Sequence, residues 1–280
     1  MKRFKYRLNK LFFLTQILFE RIILEIYYYF YPNKSLETII YKNRIFLETI
    51  EKFLPYNVYL ENDYGVQKRI YDKLEDEIIN LPTYSDLLSF LIKNITSDRV
   101  NYLEIGVSVL KNYLQINNNV ENSDIVAFDI NNVNPNFNDL KKIEKNNNKL
   151  FYFKGSVLNK TDAENFKIFY KNKFDIVFSD ALHEPDAVRS EFELIIKDNL
   201  KKEFLIYYDD LDFPGLENEL YSIKSQLENS TNREVNFYTF KIYGWIGQNE
   251  KLHKNGIITT YDLQKVLDEK NIKIFNFKKT

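Results

Sequence analysis

The sequence predicts an α/β protein, a mostly parallel β-sheet with helices on both faces, preceded by a helical region. Three observations carry this. From Arg99 onward, short apolar runs rich in β-branched and aromatic residues recur at about the spacing of a βα unit. Before that point apolar residues recur instead at three- and four-residue intervals, the period of a helix. Acidic residues stand directly after several of the runs, where the carboxyl ends of strands in an open parallel sheet meet ligands.

In chain order, the first stretch opens basic with Lys2, Arg3, Lys5, Arg7 and Lys10 and continues apolar. Leu11, Leu14, Leu18, Ile22, Ile26 and Tyr29 keep helical spacing and form an apolar stripe. Glu20, Arg21 and Glu25 interrupt it, and each charge at a bilayer centre costs about 2.5–3.5 kcal/mol on insertion scales, so a membrane span is not expected. No small-residue cleavage site follows, so neither is a removable signal peptide. The stripe is expected to pack on the main domain or on a second copy of the chain, giving a homodimer. Contact of the basic end with a membrane surface is the less favoured reading. Helices are expected from Ser35 to about Thr96, broken near Pro55, near Gly65 and at Pro82, with Thr83 and Asp86 opening a capped helix over 87–92. The change of period divides a helical region, residues 1–96, from an α/β domain, residues 97–280.

Within that domain, residues 100–105, 125–128, 150–153, 174–179 and 204–208 read as five parallel strands. Residues 235–243 and 256–260 add a reversed pair, for seven strands in all. Their connection contains Gly244-Trp245-Ile246-Gly247 and His253.

Composition narrows the chemistry. The net charge is −1 with 28% charged residues, which argues for no nucleic-acid partner. The absence of cysteine removes disulfides, thiolate metal sites and thiol nucleophiles, and fits a reducing, cytoplasmic setting. With His183 and His253 the only histidines, a metal is expected on oxygen ligands, which favours Mg²⁺ or Mn²⁺, with Ca²⁺ a further option.

Asp180-Ala-Leu-His183 follows the fourth run and Asp209-Asp210 the fifth. Neighbouring strands lie about 4.8 Å apart, so three carboxylates and an imidazole are expected at one rim. Crowded like charges raise one another's pKa, and a bound divalent cation is the ready remedy. Upstream, Glu104-Ile-Gly106-Val-Ser108 closes the first strand and Asp129 the second. A tight turn at Gly106 lets backbone amides approach a ligand, and an acid at the next strand tip bonds a ribose diol.

The Glu-x-Gly form and Asp129 resemble motif I and the acidic motif II of class I S-adenosylmethionine-dependent methyltransferases, with Val107, Val109 and Leu110 where further glycine is common. Asp180, His183 and the Asp209-Asp210 pair are similar to the metal-dependent, macrocin-type O-methyltransferases that act on sugar hydroxyls. The resemblance spans roughly residues 99–260. It implies a Rossmann-like methyltransferase fold and S-adenosylmethionine held by Glu104, Gly106, Ser108, Asp129 and Ser156. It further implies a metal on Asp180, Asp209 and Asp210, and His183 as the base beside Asp180. The substrate implied is a small molecule or sugar.

Plainer roles stand beside these. His183 is a candidate helix cap, and Asp209-Asp210 a solvated turn before Pro214-Gly215, with Asp212 a competing ligand. Glu184 and Glu191 read as first-turn and exposed-face helix charges, and Arg189 as a surface residue or a substrate clamp. Trp245 reads as packing or a pocket wall, and His253 as an ordinary loop residue. The competing function is a non-catalytic protein of the same fold that uses its helices for assembly or membrane contact. Methylation of nucleic acid ranks last, for want of an Asn-Pro-Pro-Tyr-type base pocket or a basic domain.

Overall fold

All five apolar runs become parallel strands, because side chains on both sides of each run find a covering layer of helices. They are β1 (Asn101–Ile105), β2 (Asp124–Asp129), β3 (Lys149–Lys154), β4 (Phe174–Ser179) and β5 (Leu200–Tyr208). The reversed pair is β6 (Asn236–Ile242) and β7 (His253–Thr259), with β7 antiparallel to both β5 and β6. The computed structural model describes residues 2–51, 81–96, 99–108, 110–133, 141, 144–244 and 252–280. The expected helix breaks near Pro55 and Gly65, together with Val109 and Trp245, lie outside the described residues.

An eighth strand, β8 (Phe275–Lys279), corrects the expected seven, and the sheet order is β3-β2-β1-β4-β5-β7-β6-β8. Its sequence, Phe-Asn-Phe-Lys-Lys, is too short and polar to stand out as an apolar run. It survives as an edge strand with Asn276, Lys278 and Lys279 exposed. From β1 the chain builds outward through β2 and β3, then returns to β4 on the other side of β1. The β1/β4 boundary is therefore the topological switch point, the place in an open parallel sheet where ligands generally bind.

Period-two alternation sorts the strand residues into two cores. On one face Tyr102, Ile125, Phe178, Tyr207 and Ile257 pack with α2 (Lys34–Glu51), α3 (Tyr84–Ile95), α4 (Lys111–Asn119) and α8 (Leu263–Glu269). On the other, Leu103, Val126, Val177, Ile206 and Ile258 pack with α5 (Lys160–Phe169), α6 (Pro185–Glu191) and α7 (Leu216–Thr231). A π turn (Phe192–Ile196) and a 3-10 turn (Lys197–Asn199) follow α6.

The first helix, α1 (Lys2–Phe30), docks by a different face from the one expected. Glu20 and Leu24 are buried, and Leu24 joins a small cluster with Leu81, Tyr243 and Leu252. The hydroxyls of Tyr27 and Tyr28 donate to the carbonyls of Asn271 (3.3 Å) and Lys273 (2.7 Å). These carbonyls follow the end of α8 and need donors, so the polar-tipped tyrosines dock there. Of the two places expected for the apolar stripe, the main domain and a second copy, the main domain is not the one it meets: Leu11, Leu14, Leu18, Ile22, Ile26 and Tyr29 are all exposed.

A buried ion pair fastens α2 to α3. Arg44 Nη2 lies 2.8 Å from Asp86 Oδ2, and the Asp86 side chain is fully buried. Asp86 also accepts from the Thr83 amide (2.8 Å), completing the expected cap, and from Asn43 Nδ2 (2.7 Å). Asn119 at the end of α4 donates to Asn43 Oδ1 at 2.7 Å, which ties a third helix to the network. Removing one partner of such a pair strands the other charge. Arg44→Met is expected to lower unfolding stability by about 3 kcal/mol in urea titration, and a loss below about 1 kcal/mol would show that the pair does not fasten these helices.

Glu191 corrects a second expectation. Read as an exposed-face charge, it is 1% exposed, because it falls one helical turn after Ala187 on the face of α6 that meets the sheet. Burial pushes its carboxyl up to about 8, against a weaker opposing hydrogen bond with Ser179. A folded pKa above the unfolded one means that the proton stabilises the fold below pH about 4.5, and that this is lost as pH rises through about 8. Glu191→Gln is therefore expected to flatten the fall in urea midpoint between about pH 5 and pH 9, with a gain on the order of 2 kcal/mol at the alkaline end. Parallel wild-type and variant curves would sink this assignment.

Candidate active site

The β1 turn is shaped by contact with β4. Gly106 has φ +82°, and a Cβ there would lie 2.3 Å from the Asp180 carbonyl oxygen. Its bare Cα therefore lets the turn press against the tip of β4, and the Asp180 amide donates to the Ile105 carbonyl at 2.8 Å. Ser108 and Leu110 also hold left-handed backbones, with φ 47° and 70°. Leu110, fully buried, begins α4 in a conformation that glycine would adopt without strain.

Asp129, at the tip of β2, braces that turn. Its Oδ2 accepts from the amides of Val107 (2.8 Å) and Ser108 (3.1 Å), and its Oδ1 accepts from Asn131 (2.8 Å). Burial raises its pKa, while these amides oppose the shift. Ser156 follows β3, its amide bonded to Asp162 Oδ2 (2.9 Å) and its hydroxyl accepting from the Leu158 amide (3.3 Å).

Glu104 points to the face covered by α3 and α4. It is 2% exposed and accepts from Tyr102 Oη (2.6 Å) and Asn112 Nδ2 (2.8 Å). Burial drives its carboxyl up to about 8 against those bonds and against the nearby Lys111. Lys111 is buried over the Tyr84 ring, 5.9 Å from its centroid, and desolvation holds its pKa well below the usual lysine range. The position expected to touch the cofactor is thus tied, among the described residues, into a polar network beneath the turn.

The expected acidic rim forms. The Asp209 amide donates to the Ser179 carbonyl at 3.1 Å, so the tips of β4 and β5 are in register. His183 Nε2 lies 3.6 Å from Asp180 Oδ1 and 3.9 Å from Asp210 Oδ2. Desolvation, then Asp209 and Asp210, hold the Asp180 pKa well above the carboxylate range. Asp209 is pushed up to about 7 by burial first and by Asp210 second. His183 is lowered from 6.5 by burial, with Asp210 pulling the other way, so a neutral imidazole is favoured. Its ring stacks on Phe213 with centroids 5.2 Å apart. Among the described residues, no group of three Asp, Glu or His side chains is spaced as a metal site.

Two members of the rim escaped the sequence reading. His253, expected in a loop, begins β7 and sets Nδ1 3.1 Å from Asp210 Oδ1. Asn255 donates to Asp209 Oδ1 at 2.5 Å and accepts from Tyr207 Oη at 2.7 Å. Antiparallel pairing causes this, since Gly256 lies opposite Tyr208 and the residues before it fall beside the carboxyl end of β5. No local signal marks them in the sequence, since their place depends on how β7 pairs with β5. Arg189 is settled as a strut between helices, donating through Nε and Nη2 to Glu219. Glu184 is exposed at the N-cap of α6.

No protein family and no curated protein matches the sequence. Among solved structures, the chain is similar to the O-methyltransferase TomG of Streptomyces achromogenes, involved in tomaymycin synthesis and solved with SAM. The identity is 16%, over 69% of this chain and 85% of that one, with a TM-score of 0.44. It is also similar to a putative caffeoyl-CoA O-methyltransferase from Staphylococcus aureus, at 15% identity over 78% and 99% with a TM-score of 0.44. A third is an O-methyltransferase from Bacillus cereus in complex with SAH, at 13% identity over 77% and 100% with a TM-score of 0.44. Likeness at this level selects no substrate and adds nothing to the strand order and rim already described.

Proposed function

We propose that the chain is an S-adenosylmethionine-dependent O-methyltransferase that acts on a hydroxyl of a small molecule or sugar with the help of a divalent metal. The observation that supports it most is the meeting of Asp180, His183, Asp209 and Asp210 at the rim beside the switch-point turn. An alcohol is a poor nucleophile until its proton is drawn off, and the His183 imidazole, kept neutral by burial, has a free ring nitrogen to accept it. His183 would take that proton at Nε2, and its stack on Phe213 supports this by limiting the ring's orientation. His253 holds one oxygen of Asp210 and Asn255 one oxygen of Asp209, which orients both carboxyls.

The side chains are not spaced as a metal site in this structure, but their chemistry suits Mg²⁺ or Mn²⁺. The candidates are all oxygens, on desolvated carboxyls whose repulsion a cation would relieve. Asp180, Asp209 and Asp210 would hold it, and a bound cation supplies Lewis acidity that makes a hydroxyl easier to ionise. For the cofactor, Asp129 at the β2 tip is the acid that would meet a ribose diol, in exchange for some of its amide bonds to the turn. S-adenosylmethionine supplies an electrophilic methyl group when bound.

One observation favours the second reading, a non-catalytic protein of the same fold. Gly106 is used for packing against Asp180, and the Val107 and Ser108 amides are turned to Asp129, so the turn is stable with its donors already engaged. Calorimetric titration separates the two. S-adenosylmethionine is expected to bind, and absence of heat with and without Mg²⁺ would refute the transferase. Asp180→Asn is expected to abolish metal-dependent turnover with little change in cofactor affinity, and undiminished turnover removes its role. His183→Ala is expected to lower kcat by about 100-fold or more at unchanged cofactor affinity, whereas a rate within a few-fold of wild type excludes it as the base.

A further inference from the structure

Helix α1 has two faces of different character. Its inner face docks through Glu20, Leu24, Tyr27 and Tyr28. Its outer face carries nine exposed large apolar residues between Leu11 and Phe30. At 100° per residue they fall on an arc of roughly 160°, broken only by Thr15 and by Glu25 at its margin, which is ion-paired to Arg21 at 2.7 Å. The stretch is about 30 Å long, far more continuous apolar surface than scattered surface leucines account for. Leu11, Phe12, Leu14, Thr15 and Gln16 are all exposed, so this part of the helix reaches past the body it docks on.

Charge indicates what covers this face. Lys2, Arg3, Lys5, Arg7 and Lys10 occupy the first three turns, and no acidic residue precedes Glu20. The two carboxylates of α1 are committed, Glu20 buried near Lys241 and Glu25 paired with Arg21. A second copy of the helix therefore offers this basic end no concentrated negative surface, whereas an acidic lipid leaflet does. Among the described residues no helix is long and apolar enough to cross a membrane. An amphipathic helix with a basic end and aromatic and leucine residues on one face suits the plane of a bilayer interface.

We propose that α1 is a membrane-surface helix, which inserts its outer face into the interfacial layer of an anionic bilayer while its inner face stays docked on the β6–β8 edge of the sheet. The two faces are opposed, so attachment needs no undocking. The domain then sits on the leaflet with the basic turns over the acidic headgroups. Electrostatics and burial act together: each cation facing a phosphatidylserine surface strengthens partitioning about fivefold, within a screening length of about 10 Å at 0.1 M salt.

The test is co-sedimentation of the full chain with vesicles of equimolar phosphatidylserine and phosphatidylcholine, against vesicles of phosphatidylcholine alone. Wild type is expected to sediment with the first, weakly with the second, and less as salt rises. Leu18→Glu with Ile22→Glu is expected to abolish sedimentation at an unchanged urea midpoint, since both side chains are exposed. Lys2→Ser with Arg3→Ser and Lys5→Ser, which leaves the apolar face intact, is expected to weaken partitioning about 100-fold. Failure of wild type to sediment with acidic vesicles overturns the proposal, as does equal sedimentation with both compositions. Self-association lost in the Leu18→Glu/Ile22→Glu variant, without vesicle binding, identifies a second copy as the occupant and overturns it too.

Discussion

The architecture depends on the absence of a side chain at one position. At Gly106 the backbone turns through φ +82° with its Cα against the carbonyl of Asp180, an approach that any Cβ would block. This contact sets the end of β1 against the end of β4. The β4 tip is in turn in register with the β5 tip through the Ser179 carbonyl and the Asp209 amide. Carboxylates that would repel one another in solution are thereby kept within one partly desolvated rim, and their raised pKa values express the cost.

The chain offsets that cost in different ways on its two sides. Toward β7, His253 and Asn255 give Asp210 and Asp209 direct partners. Beneath the turn, Glu104 relies on neutral donors, Tyr102 and Asn112, with Lys111 nearby under strong desolvation of its own. Another buried acid, Asp86, has the full countercharge of Arg44. One fold thus contains a carboxyl favoured in its protonated form and another held by an ion pair, and the difference lies in whether a guanidinium can reach it.

Much of this was legible in the sequence, for identifiable reasons. Strands buried on both faces leave continuous apolar runs, so β1 to β5 and the acids at their ends could be read directly, and Asp180, His183, Asp209 and Asp210 do meet. Residues whose role depends on an antiparallel partner were hidden, because nothing local to His253 or Asn255 reveals that β5 runs beside them. Glu191 was misread because polarity outweighed its four-residue spacing from Ala187. The docking face of α1 was hidden in the sequence because tyrosine hydroxyls seeking free carbonyls decided it, and not the apolar stripe. Strand β8, an edge strand, needs little hydrophobicity to exist and announced itself with little.

The outermost strands have a consequence for how copies of the chain meet. Among the described residues the sheet ends in β3 on one side and β8 on the other, and each carries lysines, Lys149 and Lys154 in the first, Lys278 and Lys279 in the second. Cationic side chains along an open ladder disfavour its extension by another molecule's backbone. Growth into a continuous intermolecular sheet is thereby discouraged at both margins, which leaves the helical layers as the surfaces through which the molecule meets its surroundings.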